Sequence, residues 1–561
     1  MAKIRADIKQ RGLDLSLKSS GRHAYLDGRS NLDWNPNVNL RNRIWPCEPL
    51  VWCAAICALF GSGLPVRGAG VTVITHGFNS DIASWIIPMA GQIVSYQNFP
   101  GTNSTCYELS ITKSGSTYTA TPSLIAGVPP LTSDSGEIVI KVDWSTISTT
   151  LGVSTVNIAN AAAAALLATN LIPELGGRAL VELPLHFIGH SRGGSVVTEM
   201  ARLLGAQGIW VDQVTTLDPD PVSFYGDPPI KNYANVLFAD NYWQNMGNGL
   251  TVPNGQPVAG AYNRQLTSLN GGYASSHSDV HLWYHGTIQL ATPASDTQAT
   301  ITTAERQTWW TADEAEGANA GFYYSLLGGG DRLSAAEPAG AGTSRIRDGY
   351  NQDWDLGAGV TTNRDSLPAD NGAWPKILRL NITGTNHFSV DAPVPVALYD
   401  QFGAGTSAVA TVRFFLDPDA NPYDTNEIAA GQFLLSGTGT NTVAFNTGNL
   451  TLNPAVTPPG SYSLFASISD GMHTRYLYAP EKITLDPSRQ APVLLAARIQ
   501  SNQLQFAIAG YPGQMVIVQA STNLVQWEPV ATNRLTGTTF DFVDPAGAGW
   551  AQRYYRAQLV Q

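Results

Sequence analysis

The chain contains little cysteine, which limits how its fold can be stabilised. Only four of its 561 residues are cysteine, and Cys47, Cys53 and Cys57 all lie in or beside one apolar segment. If that segment is removed, only Cys106 remains, which excludes an internal disulfide. A small fold held together by disulfides is therefore excluded, and we expect hydrophobic cores to stabilise the protein. The lack of disulfides also favours a bacterial source.

Charged residues and long hydrophobic runs are also scarce. Charged residues make up 13% of the chain, and 32 Lys and Arg against 43 Asp and Glu give a net charge of −11. This balance excludes the basic footprint of a nucleic-acid-binding protein and argues against attraction to anionic membranes. The apolar run at residues 50–60 is too short for a membrane span, which needs about twenty residues.

That apolar run has the flanks of a signal peptide. Arg41 and Arg43 precede it and the small residues 61–63 follow it, as in a hydrophobic region that is cleaved after export. We therefore expect a secreted, extracellular or periplasmic protein with no integral membrane segment in the mature chain. A buried N-terminal segment is the alternative interpretation.

The texture of the sequence predicts several domains, because 561 residues exceed one core. Between residues 71 and 239, short apolar runs alternate with segments of helical periodicity, which predicts an α/β fold with a doubly wound, mostly parallel sheet. From about Lys376, alternating polarity between turns predicts all-β sandwich modules. The predicted domains are an N-terminal extension (residues 1–65), a catalytic domain (66–375), an Ig-like β-sandwich (376–488) and a small β-module (489–561).

The pentapeptide at residues 189–193, Gly-His-Ser-Arg-Gly, is the central motif. It follows an apolar strand and precedes an amphipathic helix, the context that a nucleophilic serine requires. Small residues two positions before and after Ser191 let strand and helix approach closely. The predicted nucleophile is therefore Ser191, whereas the bland interpretation is a glycine-rich turn with an incidental serine.

A serine nucleophile needs a base and an acid, which in this type of site follow it along the chain. Asp218 ends the next predicted strand and is the favoured acid. Asp240, at the end of the following strand, is the main alternative, and Asp220 is a third. His277 is the predicted base because it precedes a helix, whereas His281 and His285 lie within that helix and are expected to be packed side chains.

Two further groups complete the predicted chemistry. The backbone N–H groups of Phe78 and Arg192 are the candidate oxyanion donors, since one follows the glycine of the early loop and the other follows the nucleophile. The histidines of residues 277–285 also have the spacing of metal ligands, but no Glu lies between the first two as a zinc protease requires, so no cofactor or metal is predicted. An acidic segment at residues 417–424 has oxygen side chains suited to calcium, although an acidic turn is favoured.

The motifs together resemble those of a known family. His76, Gly77 and Phe78, the Val-Asp-Trp at 142–144, the pentapeptide, the Thr-Leu-Asp-Pro at 216–219 and the His277 segment are similar in order and spacing to lipases of the pancreatic-lipase-like branch of the α/β-hydrolases. The resemblance covers about half of the chain. It implies an α/β-hydrolase fold, a Ser191–Asp218–His277 triad and a structural role for Asp143. The disulfides and C-terminal domain of the animal enzymes have no counterpart, and the C-terminal half suggests Ig-like or fibronectin-like modules.

The sequence leaves three functions open. The first is a serine carboxylic-ester hydrolase, a lipase or esterase, that acts on a small-molecule or lipid ester. The second is a surface binding or adhesion protein with an inactive hydrolase domain, whose β-modules bind a surface or polymer. The third keeps the machinery and changes the substrate to a polyester, a phospholipid or a thioester.

Overall fold

The computed structural model describes a large part of the chain. The described residues are 2–4, 70–95, 105–127, 129, 137–249, 251–269, 272–273, 275–289, 309, 320–328, 346–351, 364–367, 374–402, 409–418, 422, 426–436, 443–500, 503–546 and 549–560. The predicted signal-like segment at residues 50–60 lies outside them. Within these ranges no helix is both long and apolar enough to cross a membrane.

Apart from β1, which pairs with the last strand of the chain, the elements of the first half form or flank one large sheet. They are β1 (Ala2–Ile4), β2 (Val71–Thr75), α1 (Ile86–Val94), β3 (Thr105–Ser114), β4 (Thr117–Ala126), β5 (Ile138–Asp143), α2 (Thr155–Leu167), β6 (Leu185–His190), α3 (Arg192–Gly205), β7 (Val211–Leu217), β8 (Val236–Gln244), β9 (Tyr262–Leu266) and α4 (Ser276–Gly286). Short 3-10 helices lie at Ser145–Ile147, Pro173–Leu175, Leu180–Glu182 and Ser223–Tyr225, and two more at Gly321–Tyr324 and Ile346–Gly349.

The second half of the described chain consists of strands alone. They are β10 (Lys376–Ile382), β11 (His387–Ser389), β12 (Val394–Gln401), β13 (Val409–Asp417), β14 (Ile428–Ser436), β15 (Ala444–Leu450), β16 (Gly460–Ser469), β17 (Thr474–Asp486), β18 (Val493–Gln500), β19 (Gln503–Ala509), β20 (Met515–Ser521), β21 (Glu528–Arg534), β22 (Thr539–Asp544) and β23 (Tyr554–Leu559).

The large sheet has eight strands in the order β4-β3-β5-β2-β6-β7-β8-β9. All neighbouring strands pair in parallel except β3 and β4, which are antiparallel. Strand β2 is buried on both faces because its side chains alternate between two cores: Val71 and Val73 belong to one, and Ile74 belongs to the other. A capping box at Ser154 and Asn157 starts the alanine-rich helix α2.

The predicted fold class is wrong. The described residues form 23 strands in five sheets but only four α-helices, so the protein is mainly β and is not an α/β protein with a doubly wound α/β-hydrolase sheet. A doubly wound sheet needs a helix in nearly every crossover. Here α1, α2 and α3 supply helices to three connections, whereas no α-helix is described between β7 and β9. The apolar runs indicated buried strands, but they did not indicate how few helices connect them.

Two β-sandwiches follow the large sheet. In the first, the sheet β10-β12-β15 packs on β11-β17-β16-β13-β14 around a core that includes Leu398, Phe414 and Leu464. In the second, β18-β19-β22 packs on β1-β23-β20-β21 around Phe506, Val518 and Tyr555. The sequence predicted sandwiches in the C-terminal half from the alternation of polar and apolar residues. In β13 this alternation places every second side chain in the core. The predicted domain boundaries stay predictions.

Candidate active site

Ser191 occupies a sharp turn between β6 and α3. Its backbone has φ 56° and ψ −125°, a conformation that a non-glycine residue adopts only where the surroundings enforce it. Its N–H donates to the Leu217 carbonyl at 3.0 Å, and its own carbonyl accepts from the Gly194 N–H at 3.0 Å. The turn is therefore held from both sides, and Ser191 lies at the N-terminus of α3, where the helix dipole favours negative charge.

The two outer glycines of the pentapeptide are required by contact. A Cβ on Gly189 would lie 2.2 Å from the Gly193 carbonyl oxygen, and one on Gly193 would lie 2.6 Å from the His76 carbonyl oxygen. Neither distance is possible for real atoms, and both neighbours are backbone groups that have little room to move. Gly189 and Gly193 therefore allow β6, α3 and the loop after β2 to approach one another closely at Ser191.

The loop after β2 passes directly beside the predicted nucleophile. A Cβ on Gly77 would lie 2.6 Å from Ser191 Cβ and 3.0 Å from Ser191 Oγ. Among the described residues, no backbone hydrogen bond engages the N–H groups of Phe78 and Arg192. Both predicted oxyanion donors thus belong to the two segments that flank Ser191 Oγ.

His277 and Asp218 form a direct pair. His277 Nδ1 lies 2.6 Å from Asp218 Oδ2, although 59 residues separate them along the chain. Asp218 is fully buried and accepts two further hydrogen bonds at 2.8 Å, from the backbone N–H and the side-chain Nε2 of Gln244. Its backbone has φ 45° and its N–H donates to the Tyr242 carbonyl at 2.7 Å. The carboxylate is therefore fixed in one orientation, with one oxygen directed at His277.

The alternative acids have other surroundings. Asp240 accepts from Thr215 Oγ1 at 2.6 Å, from Gln213 Nε2 at 3.1 Å and from Tyr242 O–H at 3.0 Å. Asp220 is half-buried, and burial raises the pKa of its carboxyl above the ordinary value, although the nearby His277 acts in the opposite direction. The geometry favours Asp218 as the partner of His277, since within the described chain Asp218 is the carboxylate that contacts this imidazole.

His190, the second residue of the pentapeptide, also contacts the predicted base. Its Nε2 donates to the His277 carbonyl at 2.9 Å, and the two imidazole rings lie 4.6 Å apart. Burial, with His277 nearby, lowers the pKa of His190 well below its ordinary value, so this imidazole is neutral. The side chain thereby ties α4 to the turn that carries Ser191. Ser191 Oγ itself makes no hydrogen bond within the described part of the chain.

His281 and His285 are packing residues of α4, and His277, which the sequence placed before that helix, lies in its first turn. His281 stacks on Trp85 at 4.4 Å and meets His190 edge-on at 4.8 Å. Burial lowers the pKa of His285 to about 3 and that of His281 well below its ordinary value.

Among the residues that the structure describes, no group of three His, Cys, Asp or Glu side chains is arranged to hold a metal ion. In the acidic segment at 417–424, Asp417 is buried against Tyr478, and residues 419–421 and 423–425 lie outside the described ranges.

Asp143 supports the loop that carries Phe78. Its Oδ1 accepts from the Ser145 N–H at 2.9 Å and lies 3.3 Å from His76 Nε2. Burial raises the pKa of Asp143, but the contacts with His76 and Ser145 outweigh it and bring the pKa to about 2. His76 in turn stacks on Trp144 at 5.0 Å. These contacts connect the loop after β2 to the end of β5.

The Arg192 side chain is a feature that the sequence did not reveal. Its guanidinium is fully buried, donates to both carboxylate oxygens of Asp227 at 2.6 and 2.8 Å, and lies over the Tyr225 ring at 4.5 Å. It also donates to the Ser148 and Val153 carbonyls at 2.6 and 3.0 Å. One residue thus offers its N–H beside Ser191 and anchors two neighbouring loops. No local signal indicates the pair, because 35 residues separate its members.

Exposed apolar side chains lie on those same loops. Phe224 is 78% exposed, Leu151 66% and Phe78 43%, and the Phe78 and Tyr225 rings are 5.5 Å apart. Tyr225 O–H donates to the Thr149 carbonyl at 3.3 Å, which brings the loop of Leu151 beside that of Phe224. The segments around Ser191 therefore present an apolar rim to solvent.

Comparisons with known proteins do not assign the chain to a family. No family model matches the chain, and no curated protein matches it. Among solved structures it is similar to the CARDB domain of the PF1109 protein from Pyrococcus furiosus, at 13% identity and a TM-score of 0.14 over 20% of this chain and 96% of that one. It is also similar to a superoxide reductase (neelaredoxin) from Ignicoccus hospitalis, at 14% identity and a TM-score of 0.14 over 20% of this chain and 80% of that one.

A third similarity is to the C-terminal domain of wzt, at 11% identity and a TM-score of 0.15 over 20% of this chain and 74% of that one. The predicted membership of the pancreatic-lipase-like branch of the α/β-hydrolases is wrong, since the described residues are mainly β-strand with only four α-helices, and no family model matches. Short motifs around a serine recur on unrelated folds. Their order along this chain was weaker evidence of ancestry than the sequence suggested.

Proposed function

We propose that the protein is a serine hydrolase that cleaves carboxylic esters. The observation that carries the proposal is the 2.6 Å contact between His277 Nδ1 and Asp218 Oδ2. The His277 carbonyl also accepts a hydrogen bond from His190, which directly precedes Ser191, a residue with a positive φ. A buried carboxylate that orients an imidazole, and a His190 contact that ties this imidazole's residue to the turn carrying a serine at a helix N-terminus, supply the groups that nucleophilic catalysis requires.

In the first half of the reaction, Ser191 Oγ attacks the ester carbonyl and transfers its proton to His277 Nε2. Asp218 keeps the Nδ1 proton in place and stabilises the imidazolium that forms. The N–H groups of Phe78 and Arg192 donate to the oxyanion of the tetrahedral intermediate. When the intermediate collapses, the ester C–O bond breaks, His277 protonates the departing alkoxide, and Ser191 remains acylated.

Water completes the cycle. His277 removes a proton from a water molecule that attacks the acyl carbonyl, and a second tetrahedral intermediate forms against the same two N–H groups. Its collapse returns the proton to Ser191 Oγ and releases the carboxylic acid. Because the rim beside Ser191 is apolar at Phe224, Leu151 and Phe78, we expect esters with apolar acyl chains to be preferred over acetates.

The proposal is tested with p-nitrophenyl butyrate and a serine-directed phosphonate. The wild-type protein should hydrolyse the ester, lose activity on phosphonate treatment and gain the mass of one adduct. Ser191→Ala should lack both activity and adduct, whereas Ser95→Ala, at an exposed surface serine, should retain both. An active Ser191→Ala protein would overturn the assignment. A folded wild type that neither turns over nor accepts the phosphonate would favour the alternative of a binding protein.

Substrate range and location are tested separately. Rates on p-nitrophenyl esters from two to sixteen carbons distinguish an esterase from a lipase, and polyester, phospholipid and thioester substrates extend the comparison. We also propose that the protein is exported, on the basis of the apolar run at residues 50–60 and its flanks. Fractionation of the producing cells and N-terminal sequencing of the product test that proposal, and an intact N-terminus in the cytoplasm would overturn it.

A further inference from the structure

Gln244 is a fully buried glutamine at the C-terminal end of β8, directly beside the predicted acid. Its backbone N–H donates to Asp218 Oδ1 and its side-chain Nε2 donates to Asp218 Oδ2, both at 2.8 Å. Oδ2 is also the oxygen that lies 2.6 Å from His277 Nδ1. One residue therefore supplies a donor to each oxygen of the carboxylate and fixes the direction in which the carboxylate meets the imidazole.

The orientation of the Gln244 amide is set by the loop that follows β8. Its Oε1 accepts from the backbone N–H groups of Met246 and Gly247 at 2.6 and 3.2 Å. Its Nε2 donates to the Pro253 carbonyl at 2.9 Å, in addition to its bond with the acid. In the reverse orientation the NH₂ group would face two N–H groups, and the oxygen would face a carbonyl and a carboxylate. The amide therefore presents a donor to Asp218 and cannot present its oxygen.

The two ends of that loop lie against each other and against the acid. The Gly247 N–H also donates to Asn254 Oδ1 at 2.7 Å, and Asn254 Nδ2 donates to the Gly247 carbonyl at 3.3 Å. A Cβ on Gly247 would lie 2.3 Å from the Val252 carbonyl oxygen. A Cβ on Gly255 would lie 2.1 Å from Asp218 Oδ1. The loop thus packs directly on the carboxylate, which is fully buried.

The same amide contacts the segment that carries the predicted base. Ser276 Oγ donates to Gln244 Oε1 at 3.2 Å, and Ser276 is the first residue of α4, directly before His277. Gln244 is therefore hydrogen-bonded both to the acid and to the neighbour of the base. Because acid and base are 59 residues apart along the chain, their alignment depends on connections of this kind.

We propose that Gln244 is a positioning residue, through which the loop after β8 holds Asp218 and His277 in line for catalysis. The inference rests on the proposed hydrolase function. The side chain bonds to the acid, the loop and Ser276, so it acts on the reaction through them. A glutamine that served only to close the loop would affect stability, whereas a positioning glutamine also determines kcat and its dependence on pH.

Gln244→Glu tests the donor with little change of shape. While the introduced carboxyl is protonated, its O–H can donate to Asp218 Oδ2 as the amide does, and the pair carries one negative charge. When that proton leaves, two carboxylates face each other in a buried site, and the acid no longer aligns the imidazole. A buried carboxyl beside a carboxylate ionises well above the ordinary range. The kcat/KM of this variant should therefore fall at least about tenfold between about pH 6 and pH 9, where the wild type keeps its activity because its amide does not titrate.

Gln244→Met is the second variant, and it removes the donor at every pH while keeping most of the side-chain volume. Its kcat should fall about tenfold or more, the loss expected for a hydrogen bond to a charged group. Its KM should stay unchanged, because the Gln244 side chain bonds to the acid, the loop and Ser276. Both variants are assayed on p-nitrophenyl butyrate, with circular dichroism at each pH to show that they are folded.

Gln514→Glu is the matched control, at a buried glutamine of the second sandwich. Its Nε2 donates to the Ser488 and Gln490 carbonyls, both at 2.8 Å, and its Oε1 accepts from the Tyr511 N–H at 2.9 Å. The same exchange should lower stability there but leave kcat/KM and its pH profile as in the wild type.

The outcomes separate this inference from the proposed function. A folded Gln244→Glu with the pH profile of the wild type, or a folded Gln244→Met with its kcat, would overturn the positioning role and leave the esterase assignment intact. A change of pH profile in Gln514→Glu equal to that in Gln244→Glu would also overturn it. A wild type that neither hydrolyses the ester nor accepts the phosphonate would overturn both.

Discussion

Replacement of Asp218 by Asn tests the acid of the triad most sharply. The carboxylate accepts at Oδ2 from His277 Nδ1 and from Gln244 Nε2, and at Oδ1 from the Gln244 N–H. Asparagine keeps one acceptor oxygen and replaces the other by an NH₂ group, which only donates. Whichever way the amide is oriented, at least one donor of the native structure faces another donor.

The two orientations damage the site in different ways. If the amide NH₂ faces His277, Nδ1 must act as the acceptor, so its proton moves to Nε2 and the imidazole no longer accepts the proton of Ser191. If the NH₂ faces the Gln244 N–H, His277 keeps its tautomer but loses the charge that stabilises the imidazolium. An Asp→Asn change in the triad of a serine protease lowers kcat by about 10⁴ through the wrong tautomer, and we expect a loss of that order in kcat/KM. The unsatisfied buried donor should lower the free energy of unfolding by about 1–3 kcal/mol.

Asp240→Asn is the matched comparison. Its carboxylate accepts from Thr215, Gln213 and Tyr242 side chains, so its loss should lower stability to a similar extent while kcat/KM stays within about tenfold of wild type. Both variants are assayed on p-nitrophenyl butyrate below their melting temperatures, with circular dichroism as the check on folding. If folded Asp240→Asn loses more activity than folded Asp218→Asn, the assignment of the acid is refuted.

Three further perturbations test the surroundings of the site. Gly255→Ala places a Cβ 2.1 Å from Oδ1 of the predicted acid, so kcat/KM should fall at least about tenfold, whereas Gly537→Ala, with no atom within 4 Å, should match wild type. Arg192→Met leaves the buried carboxylate of Asp227 without its ion pair, and urea unfolding should show a loss of about 3–5 kcal/mol; an unchanged midpoint would contradict the role of the pair. Burial raises the pKa of Glu137 from 4.5 to about 8, so the folded state retains a proton that the unfolded state releases, and stability should fall as the pH rises between these values. Glu137→Gln should flatten that pH dependence, and an unaltered slope would disprove it.

Local features of the candidate site could be predicted from the sequence. The turn at Ser191 was recognisable because its determinants, two glycines between a buried strand and a helix, lie within five residues. Asp218 was recognisable because it directly follows an apolar strand. For His277 the reason was wrong: the sequence placed it before a helix, whereas it lies in the first turn of α4, the helix that also holds His281 and His285.

Long-range contacts could not be predicted in the same way. The bond from His190 to the His277 carbonyl joins residues 87 apart, and no pattern within either segment indicates it. Gln244 holds the acid through both its backbone and its side chain, yet in the sequence it is an ordinary polar residue at a strand end. The fold class failed for a related reason: periodicity showed which strands are buried but not whether helices connect them.

The position of the first sandwich relative to the large sheet has a functional consequence. Arg475 of β17 is 5% exposed and donates to the Trp210 and Leu183 carbonyls at 2.8 and 3.1 Å. These carbonyls lie just before β7 and β6, whereas Ser191 and Asp218 follow the other ends of β6 and β7. The sandwich therefore docks at the edge of the sheet opposite the candidate active site. Ser191 and Asp218 lie at the other edge, so docking of this sandwich does not cover the turn that carries Ser191.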